Sequence, residues 1–364
     1  MRVKPLLFCA VVLAALGLAG QASAANVVVW AGPGFLKAAP AGAPKTSDAN
    51  LFFPQRVVVH VGDTVTFKSQ GFHTATYLGT HKATEFPIFM PAADKSSYSG
   101  INDAAGNPFF FNGQPKFEYN VPQIFAPVGS NAFGGGGAVH SSGILDKKGY
   151  AFKFKKPGDF VFHCLIHPDM TVHVVVKPRT AAVTSASQIL KANAAELASA
   201  ITTAKKIDTL APQAPNTIYA GVGKKVSGGS IELMTFKPQK LTVKVGTTVT
   251  FQLNSPMEIH NIVIGPKAYL EQSFKTLDLV PQAPGQPNQV WPFFFYGTDA
   301  PQAGVFSYTG ATSHGNGFFA TPLLGPPGSP LPRSLQVTFT AAGAYTYICG
   351  VHGPDMNGEI EVTP

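Results

Sequence analysis

The chain repeats itself at long range. Val61-Gly-Asp-Thr-Val-Thr-Phe67 returns as Val245-Gly-Thr-Thr-Val-Thr-Phe251, 184 residues on, and Cys164-Leu-Ile-His167 returns as Cys349-Gly-Val-His352, 185 residues on. Between these anchors, Pro108-Phe-Phe-Phe111 returns as Pro292-Phe-Phe-Phe295. Solenoid repeats have periods of roughly 20–50 residues, so a period this long means duplication of a whole domain. The repeat places one domain at residues 25–178 and the second at 215–364, with 179–214 between them. That connecting stretch is Ala-rich. Ser185 and Gln188 fit a capping box, and Leu190, Ala194, Leu197, Ile201 and Ala204 share a face at helical spacing. It reads as a helical linker packed on one domain.

Within each repeat the pattern is that of strands. Arg56 to His60 and Lys240 to Lys244 alternate apolar and polar residues and run into a Val-Gly turn. Phe160, Phe162 and Cys164 fall on one face of a strand, as do Tyr345, Tyr347 and Cys349. Only 13% of residues are charged, while 37 Gly, 31 Pro and 28 Phe supply turns and core. That balance excludes a coiled coil, a long-helix bundle and a charge-rich disordered chain. The expected fold is all-β: two Greek-key β-sandwich domains joined by a short helical linker.

Residues 1–24 read as a secretory signal peptide: Arg2 and Lys4, an apolar run from Leu6 to Leu18, then Ala22-Ser23-Ala24 for cleavage. Export to the periplasm or the extracellular space is expected. No transmembrane anchor is expected, because no later segment is apolar enough. Losing Arg2 and Lys4 takes the net charge from +8 to +6, which reads as ordinary solubility or, by steering, as suited to an acidic protein partner. No basic cluster with interleaved aromatics points to nucleic acid. Cys9 leaves with the leader, so the mature chain keeps Cys164 and Cys349, one in each repeat. An exported chain tends to oxidise thiols in pairs. These two therefore either bridge the halves or are each protected by a metal.

The residues around them favour the metal. His73 follows the first Val-Thr-Phe strand, and Cys164-Leu-Ile-His167-Pro-Asp-Met170 closes that repeat. His260 and Cys349-Gly-Val-His352-Gly-Pro-Asp-Met356 do the same in the second. Two imidazoles, a thiolate and a thioether suit copper: the sulfurs hold Cu(I), the imidazoles hold Cu(II), and a trigonal plane with a weak axial Met serves both. Zinc prefers four strong ligands. Met257, three residues before His260, is an alternative to Met356, whose loop is one residue longer.

Each repeat therefore resembles a cupredoxin, the blue copper family of plastocyanin, pseudoazurin and amicyanin. The spacing of Cys164, His167 and Met170 is similar to amicyanin's ligand loop. His260-Asn261 resembles the family's first-ligand site, where the first repeat has Thr74. The resemblance covers both domains and omits the linker. It implies two type 1 copper ions per chain, bound by His73, Cys164, His167 and Met170 and by His260, Cys349, His352 and Met356. One departure stands out. The first His and the Cys are separated by 91 residues in the first repeat and 89 in the second, longer than in compact members. The insertions, each with its Phe run, either cover the copper end, make a subunit contact or enlarge the core.

The implied function is single-electron transfer, with His167 and His352 on a loop where a redox partner could approach the imidazole edge. No acid–base pair, nucleophile triad or phosphate loop accompanies the ligands, which argues against an enzyme. Among the six other histidines, His60, His81 and His173 align with Lys244, about Lys267 and Glu359, so they read as solvent-facing. His163, beside Cys164, resembles the copper nitrite reductase arrangement, in which such a His binds a second copper. With His140 or His314 it offers an enzymatic alternative. A trinuclear oxidase centre needs more histidines than remain, and paired His-x-His motifs that are absent. Copper storage or delivery is the third reading.

Overall fold

The computed structural model describes residues 25–32, 41–167, 169–270 and 290–364; the expected leader, 1–24, lies outside the described residues. The alternating segments form strands and stack into two cupredoxin-like sandwiches. In the first, one sheet runs in the order Phe52–Phe53, Asn26–Ala31, Thr64–Ser69, Tyr150–Phe154, Ala132–Phe133. The facing sheet runs His140–Ile144, Thr74–Tyr77, Gly158–His163, Thr171–Lys177, Arg56–His60. The second sandwich repeats the essential pairings. Thr217–Val226 lies parallel to Thr248–Asn254, as Asn26–Ala31 does to Thr64–Ser69. Lys240–Lys244 lies parallel to Gly353–Thr363, as Arg56–His60 does to Thr171–Lys177.

Period-two alternation decides what each core contains. Phe67, Phe152 and Phe162 are fully buried and pack ring against ring in the first sandwich, with ring centroids 5.0–6.0 Å apart. Phe236, Phe251 and Tyr347 do so in the second. Burying each such ring contributes roughly 1.5–3 kcal/mol. Cys164 and Met170 belong to the first apolar cluster, Cys349 and Met356 to the second. The two thiols are free, not joined to each other.

Three features tie the halves together. The strand Ser47–Asn50, from the first repeat, pairs antiparallel with Gly229–Lys237, Ser230 opposite Asn50 and Leu233 opposite Ser47, as the edge of the second sandwich's sheet. The linker helix spans Ala186–Thr209. Its capping box is formed: Ser185 N donates to Gln188 Oε1 and Gln188 N to Ser185 Oγ. It rests on both halves, sharing a cluster with Phe53 on one side and Tyr219 and Leu233 on the other. Its buried face is Ile189, Ala200, Ala204 and Ile207, and Leu190 is 69% exposed. The expected stripe is thus turned, because the helix must fit a saddle between two sheets, where Glu196 also accepts from Gln55 N.

The third tie is the pair of insertions. Phe111 is buried against Val263, Phe318 and Ile348 of the second sandwich, and Phe117 stacks on Phe295 at 4.3 Å. The Phe runs therefore seal the two halves against each other, beyond filling their own domains. His314 rivets this contact. Its Nδ1 lies 3.1 Å from Asp103 in the first insertion and its Nε2 3.0 Å from Asp299 in the second. Burial would lower its pKa, but Asp299 and then Asp103 outweigh burial and raise it. A raised folded-state pKa gives stability that is present below the ordinary His range near 6.5 and is lost as pH rises through the folded value. Stability should fall as pH rises above the ordinary His range near 6.5. In His314→Asn, which tolerates the positive φ of 49° at that position, this component should vanish, at a cost of about 1 kcal/mol at pH 6. Urea titrations across that pH range, with parallel profiles in the two proteins, would contradict it.

Candidate metal centre

The expected ligand residues arrive on elements that hold them rigidly. Cys164 directly follows the strand Gly158–His163, and the chain then turns back within six residues. Cys164 N donates to Met170 O (2.9 Å) and Met170 N to His167 O (2.8 Å). His73 directly precedes the strand Thr74–Tyr77 of the same sheet. In the second half Cys349 ends the strand Gly343–Cys349 and Met356 lies within Gly353–Thr363. His260 is fixed by a two-way backbone bridge to Leu324.

Three side chains converge in each half. His73 Nδ1, Cys164 Sγ and His167 Nδ1 are 3.2 Å (N to N), 3.8 Å and 3.7 Å apart. His260 Nδ1, Cys349 Sγ and His352 Nδ1 are 3.1, 3.5 and 3.6 Å apart. These separations are close to those of a shared ion, with the nitrogen pairs a little nearer together and the sulfur distances matching. With bonds of about 2.0 Å to nitrogen and about 2.3 Å to sulfur, a trigonal plane spaces its donors by roughly 3.5–3.7 Å. Among the described residues these are the two groups of His, Cys, Asp or Glu able to hold a metal. Met170 and Met356 are buried in the same clusters as their cysteines. Met257 packs in the first sandwich's cluster and not in that of Cys349.

The surroundings favour a cation. Burial alone would push the Cys164 thiol up, but hydrogen bonds with His167 and His73 outweigh it and hold it well below the ordinary thiol range. Cys349 is held down against burial in the same way by His260 and His352. Each thiolate is also braced. Thr74 N donates to Cys164 Sγ (3.4 Å), and Thr74 Oγ1 accepts from Leu165 N (2.9 Å). Asn261 Oδ1 accepts from Gly350 N (2.7 Å). Thr74 and Asn261 thus do the same work, pinning the residue after the cysteine.

Two functional features escaped sequence reasoning. Gly32 and Gly221 lie flat against the first histidine of each set: a Cβ there would stand 2.1 Å from His73 Nε2 and 2.3 Å from His260 Nε2. A signal existed, since Ala31-Gly32-Pro-Gly34 returns as Ala220-Gly221-Val-Gly223. The other feature is Glu258. Its carboxylate is buried between the halves, with Oε1 3.0 Å from His167 Nε2 and Oε2 3.4 Å from His352 Nε2. Its repeat counterpart is Gly71, so the duplication left no trace of it. Burial would raise its pKa, but His167 outweighs this and holds it well below the carboxylate range. Its buried neighbours move the other way, Glu232 to about 8 and Asp48 upward, each chiefly by desolvation.

Glu258 also corrects the expectation that the loop imidazoles face a partner. His167 is buried and the His352 side chain is only 11% exposed, and both Nε2 edges turn inward to the carboxylate. The way in to them from solvent is a cleft lined by residues of both halves. It holds about 300 Å³, reaches His167, Glu258 and His352, and has apolar walls that include Phe72, Phe89, Phe294 and Val351, with Phe72 48% exposed.

The remaining histidines lie outside both groups. His163 borders an outer groove with Tyr77 and His81. His140 Nδ1 pairs with Ser130 O, and both His314 nitrogens face carboxylates. His81 and His173 are exposed and paired with Glu85 and Asp159; His60 is partly covered, against Ala181 O. Ile348, the counterpart of His163, is apolar because the first insertion covers it.

No protein-family model matches the chain, and no curated protein does. The solved structures it is similar to are cupredoxins. The blue copper protein auracyanin A of the green thermophilic photosynthetic bacterium Chloroflexus aurantiacus is 25% identical over 40% of this chain and 96% of its own, with a TM-score of 0.24. A purple cupredoxin from Nitrosopumilus maritimus is 18% identical over 40% and 98%, TM-score 0.20. The Cu(I) form of an amicyanin mutant is 19% identical over 35% and 73%, TM-score 0.20.

Proposed function

We propose that the chain is an exported electron-transfer protein with two type 1 copper centres, one bound by His73, Cys164, His167 and Met170, the other by His260, Cys349, His352 and Met356. Copper would supply a one-electron Cu(I)/Cu(II) couple. The chain supplies the rest. The strand-borne residues hold their donors at nearly constant spacing, so a change of oxidation state needs little movement. The core keeps water from the thiolate, and the basic balance of charge suits an acidic redox partner. The observation that carries this reading is the double convergence of one thiolate and two imidazoles at the separations of a trigonal plane. Among the described residues no helix is long and apolar enough to cross a membrane, which is compatible with a mobile carrier.

Copper loading tests it. The full chain should take up about two ions and develop an intense visible thiolate-to-copper band that bleaches on reduction and returns on oxidation. Protein that stays colourless with Cu(II) would end the proposal.

A further inference from the structure

The carboxylate of Glu258 serves both ligand sets at once. A metal on Nδ1 leaves the proton on Nε2, so His167 and His352 each present an N–H to it. Each oxygen accepts one of them, and Oε1 also accepts from Asn50 Nδ2 at 2.7 Å. The group is held from every side. Ser255 Oγ accepts from Glu258 N at 2.8 Å, fixing the turn that aims the side chain. Asn50 comes from the strand that the first repeat contributes to the second sandwich's sheet. A buried anion costs several kcal/mol unless it is paired and hydrogen-bonded. Here the partners are one ligand imidazole from each half.

Resting on the reading of two copper centres, we infer that Glu258 is a positioning residue shared by both, whose carboxylate joins the loop imidazoles His167 and His352 into one hydrogen-bonded link and makes the two metals an internal electron-exchange pair. One electron leaves one centre as the other gains it, and both Nε2–H protons stay in place. The inward turn of the imidazole edges then has a purpose: the route between the metals runs imidazole to carboxylate to imidazole.

Glu258→Gln is the discriminating change. An amide has one acceptor and one donor group, so it can receive one Nε2–H while its NH₂ opposes the other. In the copper-loaded full chain, a single electron delivered by flash photolysis should equilibrate between the centres, and in Glu258→Gln that step should slow by about tenfold or more with both coppers retained. Redox titration should show both potentials rising, since each centre loses an anion that favours Cu(II); a role confined to the second domain would move only one. Equal exchange rates in the two proteins, or a shift of only one potential, would overturn the inference while leaving the two-copper reading intact. A wild-type chain without two blue centres would overturn both. Should Glu258→Gln not fold, nitrogen-15 NMR of the wild-type Cu(I) protein decides: the Nε2–H protons of His167 and His352 should both be protected from solvent exchange, and free exchange of either overturns the link.

Discussion

Cys164→Ser should remove about half of the visible copper band and lower the copper content from about two ions to about one, and Cys349→Ser should remove the other half. The thiolate is both the donor that retains Cu(I) and the origin of the band. A serine hydroxyl is a hard, weakly acidic donor that does neither. Each thiol lies in its own core cluster with its own pair of imidazoles, so loss of one leaves the other's ligands in place. The double variant should be colourless. Complete loss of colour in either single variant would show that the two sulfurs serve one centre, and an unchanged band would remove them from the metal altogether. Metal analysis with an absorption spectrum on the three proteins reads all of this.

Gly32→Ala should abolish the first centre, and Gly221→Ala the second. Two costs add. The φ values are 50° and 63°, where an L-residue carries roughly 1–2 kcal/mol of strain. The new methyl would also stand 2.1 Å from His73 Nε2, or 2.3 Å from His260 Nε2, far inside contact distance. Backbone and ring cannot both stay. Since each backbone is tied down, His73 at the root of Thr74–Tyr77 and His260 by its bridge to Leu324, the ring is the part that moves, and its Nδ1 leaves the plane shared with the thiolate. The expected result is about one copper per chain, half the band and a thermal midpoint several degrees lower. Two coppers with an unaltered spectrum in Gly32→Ala would show that this close packing does not govern the site.

The two convergent His, Cys and His groups were legible because chemistry and chain order coincide in them. Cys164, His167 and Met170 are close in sequence, His73 stands at the root of a strand, and the second repeat displays the same order through His260, Cys349, His352 and Met356. The strands were legible for a similar reason. Alternation is local, and Arg56–His60 and Lys240–Lys244 form where the pattern puts them. The linker helix was legible in extent but not in orientation, because the saddle it fills belongs to two sheets distant in sequence.

What a single chain pattern determined here is what repeats: two sandwiches, one cysteine in each, and two sets of metal-type donors. Only the tertiary structure decided how the copies meet. The contributed strand Ser47–Asn50, the opposed Phe runs and the shared Glu258 all lie at the seam between the copies. Duplicated residues announce themselves by recurrence. Contacts across a seam are made once, by residues hundreds of positions apart, so no periodicity records them and only packing brings them together.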